Sequence, residues 1–246
     1  DLAADSGGNN GGEEGGGNND VVVEAEFKVG EYDIAILSAS ESGALTQWLG
    51  TNNYNIPESA GPYLQPYIDA GMYFFVARII EDEVTYEDGR AVLSPLRIAF
   101  DSDNFSLPIR LGLINAEDQQ DLLVYVLSRG QRYEVANYGN VTIPTNIDVH
   151  EEARDDFAGF YNALFNRTLE RNPGAVVTEY AWNAATCDPC PGPTLDPGDI
   201  ETLGGDTLSD GASSDRNWVL TRLHARYQAD DIGEDLVFRA ADPIAG

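Results

Sequence analysis

Polar and apolar positions along this chain change period several times. The segment VVVEAEFKVGEYDIAIL alternates through Val23, Ala25 and Phe27 and then runs apolar from Ile34 to Leu37, as strands entering a sheet do. Ser40 is placed to cap a short helix carrying Leu45, Trp48 and Leu49 and ending near Gly50. A turn-rich stretch with Pro57, Pro62 and Pro66 follows, with room for one short helix around Tyr63–Ala70. From Met72 to Val149 the segments MYFFVARII, SPLRIAF, LPIRLGLI, DLLVYVLS and QRYEVANY read as successive strands about ten residues apart. That spacing predicts an antiparallel meander rather than βαβ units. Between Asp148 and Arg171, Phe157, Phe160, Tyr161, Leu164, Phe165 and Thr168 fall on one helical stripe. Asp148 is the expected N-cap, with Glu151 three residues on, and Asn172-Pro173-Gly174 is the stop. A strand AVVTEYAW, a Pro/Gly/Asp-rich loop over 183–216 and two strands, NWVLTRLHARY and EDLVFRA, complete the chain. A loop of that length is either functional or partly mobile.

The pattern predicts an α+β fold: a largely antiparallel sheet with one long amphipathic helix, whose aromatic stripe is core, and one or two short helices. It predicts a single domain over 21–246. Residues 1–20, DLAADSGGNNGGEEGGGNND, have linker composition, too polar to offset their ordering entropy. The chain opens at Asp1 inside this run, with no signal peptide, and so reads as the middle of a longer precursor.

Charge narrows the partners. The formal net charge is −28, from 42 acidic against 14 basic side chains, and Lys28 is the lone lysine. Phosphate backbones and anionic membrane surfaces both require clustered cations, so neither nucleic acid nor an anionic bilayer is an expected partner. No apolar run reaches the ~18 residues of a membrane-spanning helix, so no membrane span is expected. An acidic, lysine-poor surface suits a saline or Ca²⁺-rich exterior, where salt screens self-repulsion.

Candidate chemistry is sparse. Cys187 and Cys190 are the two cysteines, in C-D-P-C, and an even pair in an exported chain most often forms a disulfide. Pro191-Gly192-Pro193 directly after them opposes the helix that a thioredoxin-type thiolate needs. A zinc site would need two more ligands, and His150 and His224 are the two histidines. His150 sits at the expected start of the long helix as a surface residue. His224 alternates with Arg222 and Arg226 on one strand face, where it either meets solvent or pairs with a carboxylate. No G-x-S-x-G elbow accompanies either histidine. Asp101-Ser102-Asp103-Asn104 sets hard oxygens at alternating positions, so Asp101, Asp103 and Asn104 form a Ca²⁺ candidate against the reading of a polar hairpin turn. Ca²⁺ is the one cofactor this offers. Asp230-Asp231 with Glu234-Asp235 is a similar cluster.

Several longer phrases carry a resemblance: SPLRIAFDSDNFSLPIRLGLINAEDQQDLLVYVL, QRYEVANYGNVTIPTNIDV, NPGAVVTEYAW, CDPCPGP and LTRLHARY…GEDLVFRAA. Together, from about Val29 to Ala241, the chain resembles the C-terminal half of the DUF2330 family of secreted bacterial proteins. The resemblance implies export or surface display, and an N-terminal half ahead of the matched region. It implies no catalytic residues. The expected function is therefore a secreted or cell-surface, non-enzymatic module that assembles with itself or with a partner chain, such as the other half of its precursor. The expected contact is residues 21–37, led by Val21, Val22, Val23 and Phe27. The alternative is a secreted hydrolase using carboxylates, with or without a bound metal ion.

Overall fold

A computed structural model describes residues 20–116, 118–186, 193–207, 217–228, 231 and 233–244. Its contacts divide the chain into two compact units, between Leu96 and Arg97.

The first unit is built on an antiparallel sheet of order β1-β2-β3, from β1 (Val21–Val29), β2 (Tyr32–Ala39) and β3 (Phe74–Ile79). A two-residue turn, Gly30-Glu31, joins β1 to β2. Gly30 lies at φ +53°, and a hairpin turn with a positive first central residue favours glycine there. Two helices, α1 (Ser42–Thr51) and α2 (Gly61–Asp69), connect β2 to β3. Their buried Leu45, Leu49, Leu64, Tyr67 and Ile68 form the core of this unit together with Ile34, Leu37 and Phe74. Ser40 does not cap α1. Glu41 holds the N-cap position without a side-chain bond, and the first helical N–H, on Ser42, donates to Gln65 Oε1 at 3.1 Å. Ser40 is instead drawn to Asp20, whose carbonyl accepts its N–H at 2.8 Å. A hairpin of β4 (Thr85–Glu87) and β5 (Arg90–Val92) follows, turning on Asp88-Gly89, both at positive φ.

The second unit holds two sheets. One runs β7 (Gln120–Arg129), β11 (Trp218–Tyr227), β10 (Ala175–Asn183), β9 (Gly139–Thr142) in spatial order. The other is ordered β6 (Ser106–Leu107), β12 (Leu236–Ala241), β8 (Arg132–Val135). The class is thus α+β with mostly antiparallel pairing, but the expected meander is absent. Consecutive β7 and β8 enter different sheets, pairing with the late strands β11 and β12. SPLRIAF forms no strand, and LPIRLGLI becomes a 3-10 helix over Arg110–Asn115 after the two-residue β6. Pro95 and Pro108 fall in these two segments, and each removes a ladder donor and restricts its neighbour. One βαβ unit also occurs: β9 and β10 are parallel neighbours joined through α3 (Phe157–Arg171).

That helix is the longest described, yet it begins nine residues later than its expected start at Asp148. Asp156, not Asp148, is the N-cap, accepting the Gly159 N–H at 3.0 Å, and a separate 3-10 turn occupies Glu151–Arg154. The C-terminal stop falls as expected, with Gly174 at φ +71°. The aromatic stripe is only partly core: Phe165 is completely buried, whereas Phe157 is 65% exposed. The span 183–216 is not all loop, because α4 (Pro197–Thr202) lies in it behind a capping box of Asp196 and Asp199. Ile200 of α4 packs with Ala184 and Trp218. No helix among the described residues is long and apolar enough to cross a membrane.

Candidate functional site

The densest polar cluster lies in the second unit, where α3 meets the β7-β11-β10 face. Period 2 puts Arg222, His224 and Arg226 of β11 on one side of the sheet. In register, Asp121 of β7 stands opposite Arg226, Leu123 opposite His224 and Tyr125 opposite Arg222. From β10, Val177 stands opposite His224 and Tyr180 opposite Arg222, with a register shift between Thr178 and Tyr180. Glu179 is the residue inside that irregularity, left without a ladder partner. Bulges of this kind re-aim a side chain, and here the carboxylate of Glu179 is delivered to the histidine.

His224 is buried, 7% exposed, between two carboxylates. Its Nδ1 is 2.7 Å from Glu179 Oε1 and its Nε2 is 2.9 Å from Asp121 Oδ1. Each ring nitrogen therefore faces a carboxylate oxygen. The ring stacks on Phe165, with centroids 4.0 Å apart. Arg226 clamps Asp121 with two bonds, Nε to Oδ1 at 2.6 Å and Nη2 to Oδ2 at 3.0 Å, lies 4.8 Å over the Phe165 ring and donates to Asn162 and Asn166 of α3. Arg222 Nε is 2.8 Å from Glu179 Oε2, and Tyr161 donates its hydroxyl to Glu179 Oε1. The hydrogen bond from Arg226, and secondarily that from His224, holds the Asp121 carboxyl below its usual 3.8 against the opposing effect of partial burial. Burial, then the bond to Glu179, pushes the Tyr161 hydroxyl well above the phenol range.

This arrangement is closed on itself. Both ring nitrogens are engaged and Glu179 receives three neighbours, while Asp121 and Arg222 open to solvent, their side chains 48% and 39% exposed. Its chemistry is that of an ionic cluster within the sheet, which α3 covers through the neutral side chains of Tyr161, Asn162, Phe165 and Asn166. A small cleft of about 190 Å³ is lined in part by Arg226, with Leu169 and Tyr227, and two larger ones open elsewhere in the unit. One, of about 600 Å³, is lined by Arg97, Phe100, Asp101, Leu203 and Trp218; the other, of about 550 Å³, by Arg132, Trp182 and Ile244. His224 lines neither.

The residues singled out in the sequence lie apart from this cluster. Val21, Val22, Val23 and Phe27 are on β1, which is exposed along eight of its nine residues and has β2 as its one strand neighbour among the described residues. Val22 and Phe27 are each 45% exposed. Asp101, Asp103 and Asn104 sit in an exposed turn that Ser102 closes on itself, its hydroxyl donating to the Asn104 carbonyl at 2.9 Å and accepting the Asn104 N–H at 3.2 Å. Among the described residues no three His, Cys, Asp or Glu side chains converge as a metal site. Of the second acidic cluster, Asp230 lies outside the described residues, Asp231 accepts the Gln228 N–H, and Asp235 accepts the N–H groups of Ile109 and Arg110. Cys187 and Cys190 lie outside the described residues. His150 is exposed at the start of a 3-10 turn, and His224 takes the carboxylate-paired option twice over. Glu179 and Asp121 were missed. Alternation flags the face of His224, but an extra residue in β10 and a partner about a hundred positions away leave no local trace.

No curated protein and no solved structure matches the chain. The model of one family does, over residues 1–239, taking in the segment before Val29 as well, and its description is "uncharacterized protein conserved in bacteria". With nearly its whole length inside that match, the chain belongs to the DUF2330 family.

Proposed function

We propose that this chain is an exported or surface-displayed, non-enzymatic module that assembles by adding a strand of another chain to β1. The observation that carries this reading is the β1 edge. A nine-residue strand with Val22, Val23, Phe27 and Val29 exposed has one edge that pairs with no strand among the described residues, beside apolar side chains. Folded proteins usually blunt such an edge, because it templates pairing with a second chain. A charge of −28 keeps the rest of the surface apart in dilute solution and confines association to a patch where apolar contact outweighs repulsion. The hydrolase alternative would draw on Asp121, Glu179 and His224, but both ring nitrogens of His224 and both oxygens of the buried Glu179 side chain are already engaged within the cluster.

A photo-cross-linking side chain placed at Val22, and as a control at the exposed Tyr86, tests the reading in producing cells. The expected result is a covalent adduct from position 22 to one identified polypeptide, a second copy or another chain, and none from position 86. No adduct from position 22 overturns it.

A further inference from the structure

We propose that the strand added at β1 is the β1 of a second copy, running antiparallel in a register centred on Phe27 of both chains. This rests on the strand-addition reading above and names its partner.

Three features of the strand converge on that register. The first is where β1 is regular. A register shift between Val23 and Ala25 interrupts it on one side, and the Gly30-Glu31 turn ends it on the other. The uninterrupted stretch is Ala25–Val29, and its middle residue is Phe27.

The second is the direction of the free backbone groups. Val29 and Tyr32 flank a two-residue turn and so form the first hydrogen-bonded pair of the hairpin. Antiparallel pairs alternate between bonded and non-bonded, so Phe27↔Ile34 and Ala25↔Ile36 also bond to β2. The N–H and C=O groups of Glu26 and Lys28 then point away from β2, toward the open edge. Centring two strands on Phe27 puts Glu26 of each opposite Lys28 of the other, as bonded pairs that use those outward groups. Phe27 meets Phe27 in the closer, non-bonded position, where cross-strand aromatic pairs interact best.

The third is charge. Lys28 stands opposite Asp33, and Asp33 opposite Arg78, with Arg78 Nη2 at 2.6 Å from Asp33 Oδ2. The row across the sheet thus alternates in sign and ends, at the open edge, on Lys28, the one lysine of the chain. Glu26 of the second copy continues the alternation, twice per pair by symmetry. A two-residue slip, which moves the centre to Glu26, would set glutamate against glutamate. On the opposite face, Ala25, Phe27 and Val29 meet Val29, Phe27 and Ala25, extending the row of Ile36, Ile34 and Tyr32 behind them. At physiological salt, screening acts over about 8 Å, so these edge charges count for more than the distant acidic surface. Five paired residues a side make a small interface, and the dimer is correspondingly weak.

Sedimentation equilibrium of the full chain and its charge variants, at fixed salt, reads the register. Glu26→Lys changes the net charge from −28 to −26, since one −1 becomes +1, so general repulsion predicts tighter self-association. The register predicts the reverse: two lysine–lysine oppositions and self-association weaker by roughly tenfold. Lys28→Glu alone weakens it similarly. The two variants mixed in equal amounts associate with each other, and the doubly exchanged E26K/K28E chain associates like the parent. Circular dichroism checks that each variant is folded. Parent association indifferent to both single substitutions overturns the register and leaves strand addition standing. A parent that does not self-associate overturns the self-partner, and a cross-link from position 22 to a different chain would then still support the broader reading.

Discussion

Two strands of nearly equal length, β1 and β11, invert what their compositions suggest. VVVEAEFKV is the greasier, with Glu24, Glu26 and Lys28 as its charged residues; WVLTRLHARY carries Arg222, His224 and Arg226. Yet β1 is exposed at eight of nine residues, while Trp218, Thr221, Leu223, His224, Ala225 and Tyr227 of β11 are buried. The difference lies in sheet order. β1 is an edge strand, while β11 is flanked by β7 and β10 and faces α3 residues such as Phe165. A central strand can carry charges because its neighbours supply matching ones: Asp121 by cross-strand register and Glu179 through the irregularity in β10. Buried charge is tolerated when paired and hydrogen-bonded, and an edge stays apolar only at the risk of recruiting a partner.

The sharpest way to break the comparison is to remove what covers β11. Phe165→Ala deletes a completely buried ring that stacks on His224 and lies under Arg226, and it should cost about 3–5 kcal/mol in denaturant unfolding. A loss below about 1 kcal/mol would mean that α3 is not the cover.

Asp121→Asn probes the pairing itself. The carboxylate is half exposed, so solvent screening holds the loss at neutral pH to about 1 kcal/mol or less. Its pH signature is more telling. A carboxyl held below its usual 3.8 contributes stability that is present above that value and lost as pH falls through the depressed one. The parent should therefore lose stability more steeply than the Asn variant as pH falls below the usual 3.8. Parallel curves would show that Arg226 and His224 do not hold Asp121 in solution.

The smallest effect is expected on β1. Val22→Thr, at a 45% exposed position outside the Ala25–Val29 stretch, should shift stability by no more than about 0.5 kcal/mol in dilute chain. A larger loss would show that the open edge is covered by the protein's own residues.

Period and punctuation along the chain determined the strand character of β1, β2, β3, β7, β10, β11 and β12, the stop of α3 at Asn172-Pro173-Gly174, and the α+β class. These are local properties: a half-buried strand alternates because its faces alternate, and Pro-Gly ends a helix whatever surrounds it. Family membership was legible for the same reason, in contiguous phrases. The start of α3 differs from the expected one because Asp148 and Asp156 are both competent caps, and the chain uses the later one, after a separate 3-10 turn over Glu151–Arg154. Strand order was not local at all. β7 and β8 look like consecutive strands of a meander, but each pairs with a strand about a hundred residues on. That pairing made β11 central and brought Asp121 to His224. The irregularity at Glu179 and the open edge of β1 belong to the same level, since which backbone groups are left unpaired depends on which strands become neighbours, and no run of residues states that alone.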